Sequence, residues 1–183
     1  MTPRNTGKPR LPLNGERLNE LALTYVAKFA TTRAKLASYL NRKVRERGWD
    51  GADEPPIERM VARFAETGLV DDASYALSKS RSLSERGYGT GRVRQALRAA
   101  GIEDEDAAGA KELAEESAAD AALRFARRRR IGPFADSMPE RKEREKALAA
   151  MVRAGHGFEL SRAVVDCEPG VPPDLDDLRT KVR

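Results

Sequence analysis

Apolar residues recur at spacings of three and four through most of the chain, the period of helices that each bury one stripe. Leu18, Leu21, Ala22, Tyr25, Val26 and Phe29 make a first stripe. Leu36, Tyr39, Leu40 and Val44 make a second, with Thr31 or Thr32 placed to cap it. Gly48 ends that helix, and Trp49 just beyond is expected to pack back on its last turn. Pro55 and Pro56 open a third, since proline is tolerated in a first turn; Ile57, Met60, Val61 and Phe64 form its core face and Gly68 closes it.

The same plan returns twice. Asp71 and Asp72 can cap a helix carrying Tyr75, Ala76, Lys79 and Leu83, where their charge suits its N-terminal dipole. Gly87, Gly89 and Gly91 break it. A second helix starts near Thr90, carries Val93, Ala96, Leu97 and Ala100, and stops at Gly101; Ile102 and a third helix through Ala107, Ala108 and Leu113 follow. Ala122, Leu123, Phe125 and Ala126 begin the plan again, Leu148, Met151 and Val152 continue it to Gly155, and Phe158, Leu160, Ala163 and Val164 supply a final short helix. The second helices end alike, in KVRERG, ALRAAG and MVRAG. These patterns predict an all-α chain of three tandem three-helix repeats, stacked into an elongated, curved body with one continuous surface. The expected boundaries are a disordered basic tail over 1–15, repeats over 16–68, 69–116 and 117–165, and a C-terminal tail over 166–183 that has no sustained period and is read as disordered or loosely docked.

Charge sharpens this picture through its distribution more than its total. A net charge of +5 is compatible with a nucleic-acid partner and decides little alone. Between Tyr75 and Gly101, however, six cations (Lys79, Arg81, Arg86, Arg92, Arg94 and Arg98) face one anion, Glu85, a surface that attracts polyanions. Arg94 and Arg98 share a helix face and make a candidate phosphate-contacting ridge. Arg33, Lys35 and Arg42 add cations from the first repeat, and Arg127, Arg128, Arg129 and Arg130 form the densest run, read either as a solvated helix end or as phosphate contacts. Tyr88, inside the glycine turn, fits stacking on a base or packing on a partner as well as local packing.

Chemistry of other kinds is not indicated. Gly87-Tyr88-Gly89-Thr90-Gly91 resembles a phosphate loop, but no strand precedes it and no Gly-Lys-Ser/Thr follows, so a tight turn is the better reading. The single histidine, His156, has no Cys or His at metal-ligand spacing and no nucleophile motif around it; it is read as a turn residue. No enzyme, metal or cofactor is expected. The lone Cys167 excludes an intrachain disulfide and fits a reducing cytoplasm, and no apolar run approaches a membrane span.

At this point the residues carry a resemblance. GLVDDASYA followed by SERGYGTGRVRQALRAAGI resembles the central segment of the RecX family of bacterial recombinase regulators: Gly68 to Asp72 with Tyr75-Ala76 follow its GLIDD..FA pattern, Arg92 to Leu97 its basic helix, and Gly101-Ile102 its closing K-G-I. Thr90-Gly91 stands where Gly-Pro is common, and the linker over 132–139 makes the third repeat irregular. The resemblance implies three three-helix repeats that bind in the groove of the RecA filament on DNA and restrain its ATPase, strand exchange and coprotease activities; the chain itself is expected to be a monomer. Arg33, Lys35, Arg42, Lys79, Arg81, Arg86, Arg92, Arg94 and Arg98 would form the electrostatic footprint, touching DNA phosphates, RecA acids or both. A DNA-binding regulator that reads a groove with the helix starting at Thr90 is the alternative, and a helical adaptor that binds no DNA a third.

Overall fold

Asn14 starts the first helix by accepting the Arg17 backbone N–H at 3.0 Å, the side-chain cap that a helix N-terminus needs. The computed structural model describes residues 11–171 and 173–182, and within them every regular element of more than three residues is an α-helix. No helix among the described residues is long and apolar enough to cross a membrane. The chain divides after Asp72 into two compact units.

The first unit holds α1 (Gly15–Lys28), α2 (Arg33–Arg47) and α3 (Ile57–Glu66). Leu18, Leu36, Leu40, Val61 and Phe64 meet in its core, each worth about 1.5–3 kcal/mol of burial. Tyr25 stacks on Tyr39 at 4.1 Å between centroids, tying α1 to α2. Phe29, expected on the first stripe, is exposed because α1 ends at Lys28 and the extended backbone at Phe29 turns it off the helical face.

Residues 1–10 of the tail expected to be disordered lie outside the described residues, but 11–15 depart from that expectation. Leu13 is fully buried, and its backbone bridges the end of α2: its N–H donates to Gly48 O at 3.0 Å and its carbonyl accepts from Asp50 N at 2.7 Å. One leucine with two backbone hydrogen bonds outweighs the local polar composition. At the other end of the unit the buried carboxylate of Asp72 accepts from Arg33 N at 2.9 Å and from Arg33 Nε at 3.2 Å, closing the start of α2 from a residue 39 positions away.

The second unit holds the rest of α4 (Asp72–Glu85), then α5 (Thr90–Ala99), α6 (Asp104–Glu116), α7 (Ala118–Arg129), a single 3-10 turn (Gly132–Phe134), α8 (Arg141–Arg153), α9 (Phe158–Val165) and α10 (Leu175–Thr180). One core joins α4, α5 and α6 through Ala76, Leu83, Val93, Leu97, Ala107 and Ala110. A second joins α7 to α10 through Ala122, Phe125, Met151, Leu160, Val164 and Leu178. The buried alanines of α6 leave room for α4, whose buried Ser80 Oγ donates to Ala110 O at 2.8 Å. Tyr88 packs against both cores.

The C-terminal tail also differs from its expectation. Leu175, Leu178 and Val182 have the spacing of a short amphipathic turn; Asp174 caps it, and Leu178 is buried against α7 and α9. Two prolines and the acids of DLDDL hid that short period.

Candidate functional site

The glycine turn between α4 and α5 sets the site. Gly89 N donates to Ala154 O at 3.0 Å and Gly91 N to Gly155 O at 2.9 Å, so the start of α5 is bonded to the turn between α8 and α9. A Cβ on Gly89 would overlap the Gly155 carbonyl, and one on Gly87 would stand 2.9 Å from Phe125 N. The glycines are therefore there for backbone approach between two helix sets, which accounts for a glycine-rich pattern without any nucleotide.

His156 locks the same junction. It lies in a turn, as its flanking glycines imply, but it is 4% exposed and its ring meets Phe125 edge-on at 5.6 Å. Nε2 stands 3.2 Å from Gly87 O, which can only accept, so Nε2 carries the proton and donates. Nδ1 is buried without a hydrogen-bond partner. Burial, opposed only by the Gly87 hydrogen bond, pushes the imidazole pKa down to about 4, so His156 is neutral at pH 7. Cys167, whose Sγ donates to Ala163 O at 3.2 Å, has its thiol pushed up by burial and then by Asp166, and stays protonated.

Around this junction the structure gathers Arg86 and Arg92 of the expected footprint with Tyr88 and with Arg128 and Arg129 of the arginine run, and adds Arg153. Arg86 and Arg92 lie over the Tyr88 ring at 5.4 and 5.9 Å from its centroid, and Arg128 and Arg129 over Phe125 at 5.6 and 5.8 Å. Arg128 Nη1 donates to Arg86 O at 2.7 Å and Arg124 Nε to Ser84 O at 3.3 Å, so α7 satisfies carbonyls at the end of α4. Arg86, Arg128, Arg129 and Arg153 line a cleft of about 500 Å³ whose lining includes no carboxylate. None of Arg86, Arg92, Arg128, Arg129 and Arg153 is ion-paired to an acid among the described residues. Tyr88 is half-buried in these contacts, a packing role that also orients two guanidiniums.

The other expected residues are placed differently. Arg92 leaves α5 on the side opposite Arg94 and Arg98, as the helical period dictates. Arg94 reaches Glu115 on α6 at 4.0 Å, and Arg98 lies close enough to help lower the pKa of Asp104, after the hydrogen bond and charge of Lys111. That ridge is thus bordered by the acids of α6. Arg127 lies over Phe134 at 4.9 Å, and Arg130 pairs with Asp136 at 3.2 Å, so the run fans out in three directions. Lys79 is half-buried and Arg81 exposed on α4. In the first unit Arg33 is held by Asp72, Arg42 pairs with Glu46 at 3.7 Å, and Lys35 donates its backbone N–H to Thr32.

Sequence reasoning did not single out Arg124, Arg153 or the structural part of His156. Arg153 stands in the MVRAG end of the third repeat's second helix, but counted from the closing glycine it matches Ala99 of ALRAAG and not Arg98, so the repeat pattern gave no signal for it. Arg124 and His156 had none, because their partners are carbonyls 40 and 69 positions away.

Comparison with known proteins adds to this geometry. A family model described as the second three-helix domain of RecX matches residues 71–110, the segment that carries the glycine turn. The chain is similar to the regulatory protein RecX of Myxococcus xanthus (strain DK1622), 35% identical over 162 residues covering 83% of this chain and 86% of that one. It is similar also to the regulatory protein RecX of Halorhodospira halophila (strain DSM 244 / SL1), 31% identical over 150 residues covering 81% and 86%. Its fold resembles the crystal structure of RecX from Lactobacillus salivarius with a TM-score of 0.60 at 20% identity, covering 82% of this chain and 93% of that one.

Proposed function

The chain belongs to the RecX family of regulatory proteins, and on that premise we propose that it binds the RecA filament on DNA and restrains RecA's ATPase, strand exchange and coprotease activities. The observation that carries this reading is the arginine cluster of the second unit. Arg86, Arg92, Arg128, Arg129 and Arg153 have no acid paired to them among the described residues, and the first four lie over Tyr88 and Phe125, a surface suited to phosphates and carboxylates. In this reading the protein acts by occupancy rather than by chemistry, as a monomer in the cytoplasm, with repeats over 16–68, 69–116 and 117–165.

The alternative, in which α5 enters a DNA groove, requires its first turn to approach base edges. That turn is bonded instead to Ala154 and Gly155, which counts against it.

Titration of the purified protein into RecA–DNA filaments tests the proposal. ATP hydrolysis is expected to slow as protein is added, and Arg86→Glu/Arg92→Glu to shift the titration by about tenfold or more in concentration. Unchanged hydrolysis at saturating protein refutes the regulatory reading. An unshifted titration with the double variant refutes the assignment of the surface.

A further inference from the structure

The arginine cleft is more concentrated in charge than a nucleic-acid strand requires. Arg86, Arg128, Arg129 and Arg153 bring four permanent positive charges to one space of about 500 Å³, within the size range of small-molecule sites. A phosphodiester strand offers one negative charge per nucleotide and brings a sugar and a base with each. The aromatic surface that could receive such a base is already engaged: guanidiniums lie over Tyr88 and Phe125 at 5.4 to 5.9 Å from the ring centroids. Two of the four arginines are held in place besides, Arg128 by its bond to Arg86 O and Arg86 by Tyr88, so little side-chain freedom is lost on binding.

We propose that this cleft binds a free polyphosphate, either the inorganic chain or the tail of a nucleoside triphosphate, through its phosphate oxygens alone. Several guanidinium forks meeting contiguous phosphates match charge and hydrogen-bond geometry together. Bound polyphosphate neutralises the centre of the arginine surface and competes with any other polyanion there. The binding stands independently of the regulatory reading, whereas competition with the filament rests on it.

The test uses the full-length protein without RecA or DNA, titrated calorimetrically with inorganic triphosphate, with ATP, and with a mixed-sequence single-stranded oligonucleotide. Saturable binding of both triphosphate and ATP is expected. Arg129→Gln/Arg153→Gln, two exposed side chains whose truncation leaves the cores intact, is expected to weaken each by about tenfold or more. The charge-matched control Arg141→Gln/Lys142→Gln, remote from the cleft lining, is expected to keep wild-type affinity. Circular dichroism and thermal melting establish that both variants are folded. The proposal is overturned if triphosphate gives no saturable binding, if both variants lose affinity equally, if ATP binds and inorganic triphosphate does not, or if only the oligonucleotide binds. None of these results bears on the filament titration, so the two readings fail separately.

Discussion

Acid should unfold this protein earlier than its carboxylates alone require, because His156 must take up a proton where none can be accommodated. Its ordinary pKa is 6.5, and burial lowers it to about 4 in the fold, against the opposing pull of the Gly87 hydrogen bond. Between these values the unfolded chain binds more protons than the native one, so stability rises with pH across this window and falls as pH drops through it. The full effect is about 1.4 kcal/mol for each unit of displacement, or roughly 3 kcal/mol in all, and roughly 2 kcal/mol of it is lost between pH 7 and pH 5. Urea unfolding at pH 7, 6 and 5 reads this directly. His156→Gln keeps a side chain able to donate to Gly87 O but cannot titrate, so the difference between wild type and variant isolates the histidine from the carboxylates. The gap should change by roughly 2 kcal/mol over that range, to the disadvantage of the wild type at pH 5. Parallel pH profiles for the two proteins would show that His156 is not buried neutral and would refute the account of the junction.

Gly89→Ala should cost about 2–4 kcal/mol in chemical denaturation, since the new methyl meets the Gly155 backbone and separates two inter-turn hydrogen bonds; a loss under 1 kcal/mol would mean the turns can slide apart freely. Asp72→Ala should destabilise by about 1–3 kcal/mol, and a double-mutant cycle with Arg33→Ala should return a coupling above about 0.5 kcal/mol. Leu178→Ala should lower stability by about 2–4 kcal/mol, whereas a tail that is not docked would leave the melting temperature unchanged. Filament affinity should fall steeply with added salt, and less steeply in Arg86→Glu/Arg92→Glu, as read by the slope of log affinity against log salt.

The helices α1 to α9, their order and most of their buried faces follow from the sequence alone, because a period of three to four apolar residues with glycine and proline at the ends is local information. Leu18, Leu36, Val93, Leu97 and Leu160 are buried where that period puts them. Local information also fails in a consistent way. Leu13 and Leu178 sit in polar, proline-bearing segments and are buried because a distant helix offers them a core, which no window of neighbouring residues contains.

The site divides along the same line. That the segment with the glycine turn is basic is plain in the sequence, and so is the arginine run of α7. Which of those cations stand together is not, because their grouping depends on helices α4, α5, α7 and α8 meeting at Gly87, Gly89 and Gly155. Only the tertiary structure sets Arg94 beside Glu115 and leaves Arg86, Arg128, Arg129 and Arg153 around a cleft without an acid. Charge composition belongs to the chain, but charge opposition is a property of distances, and distances between residues forty positions apart are decided only by packing.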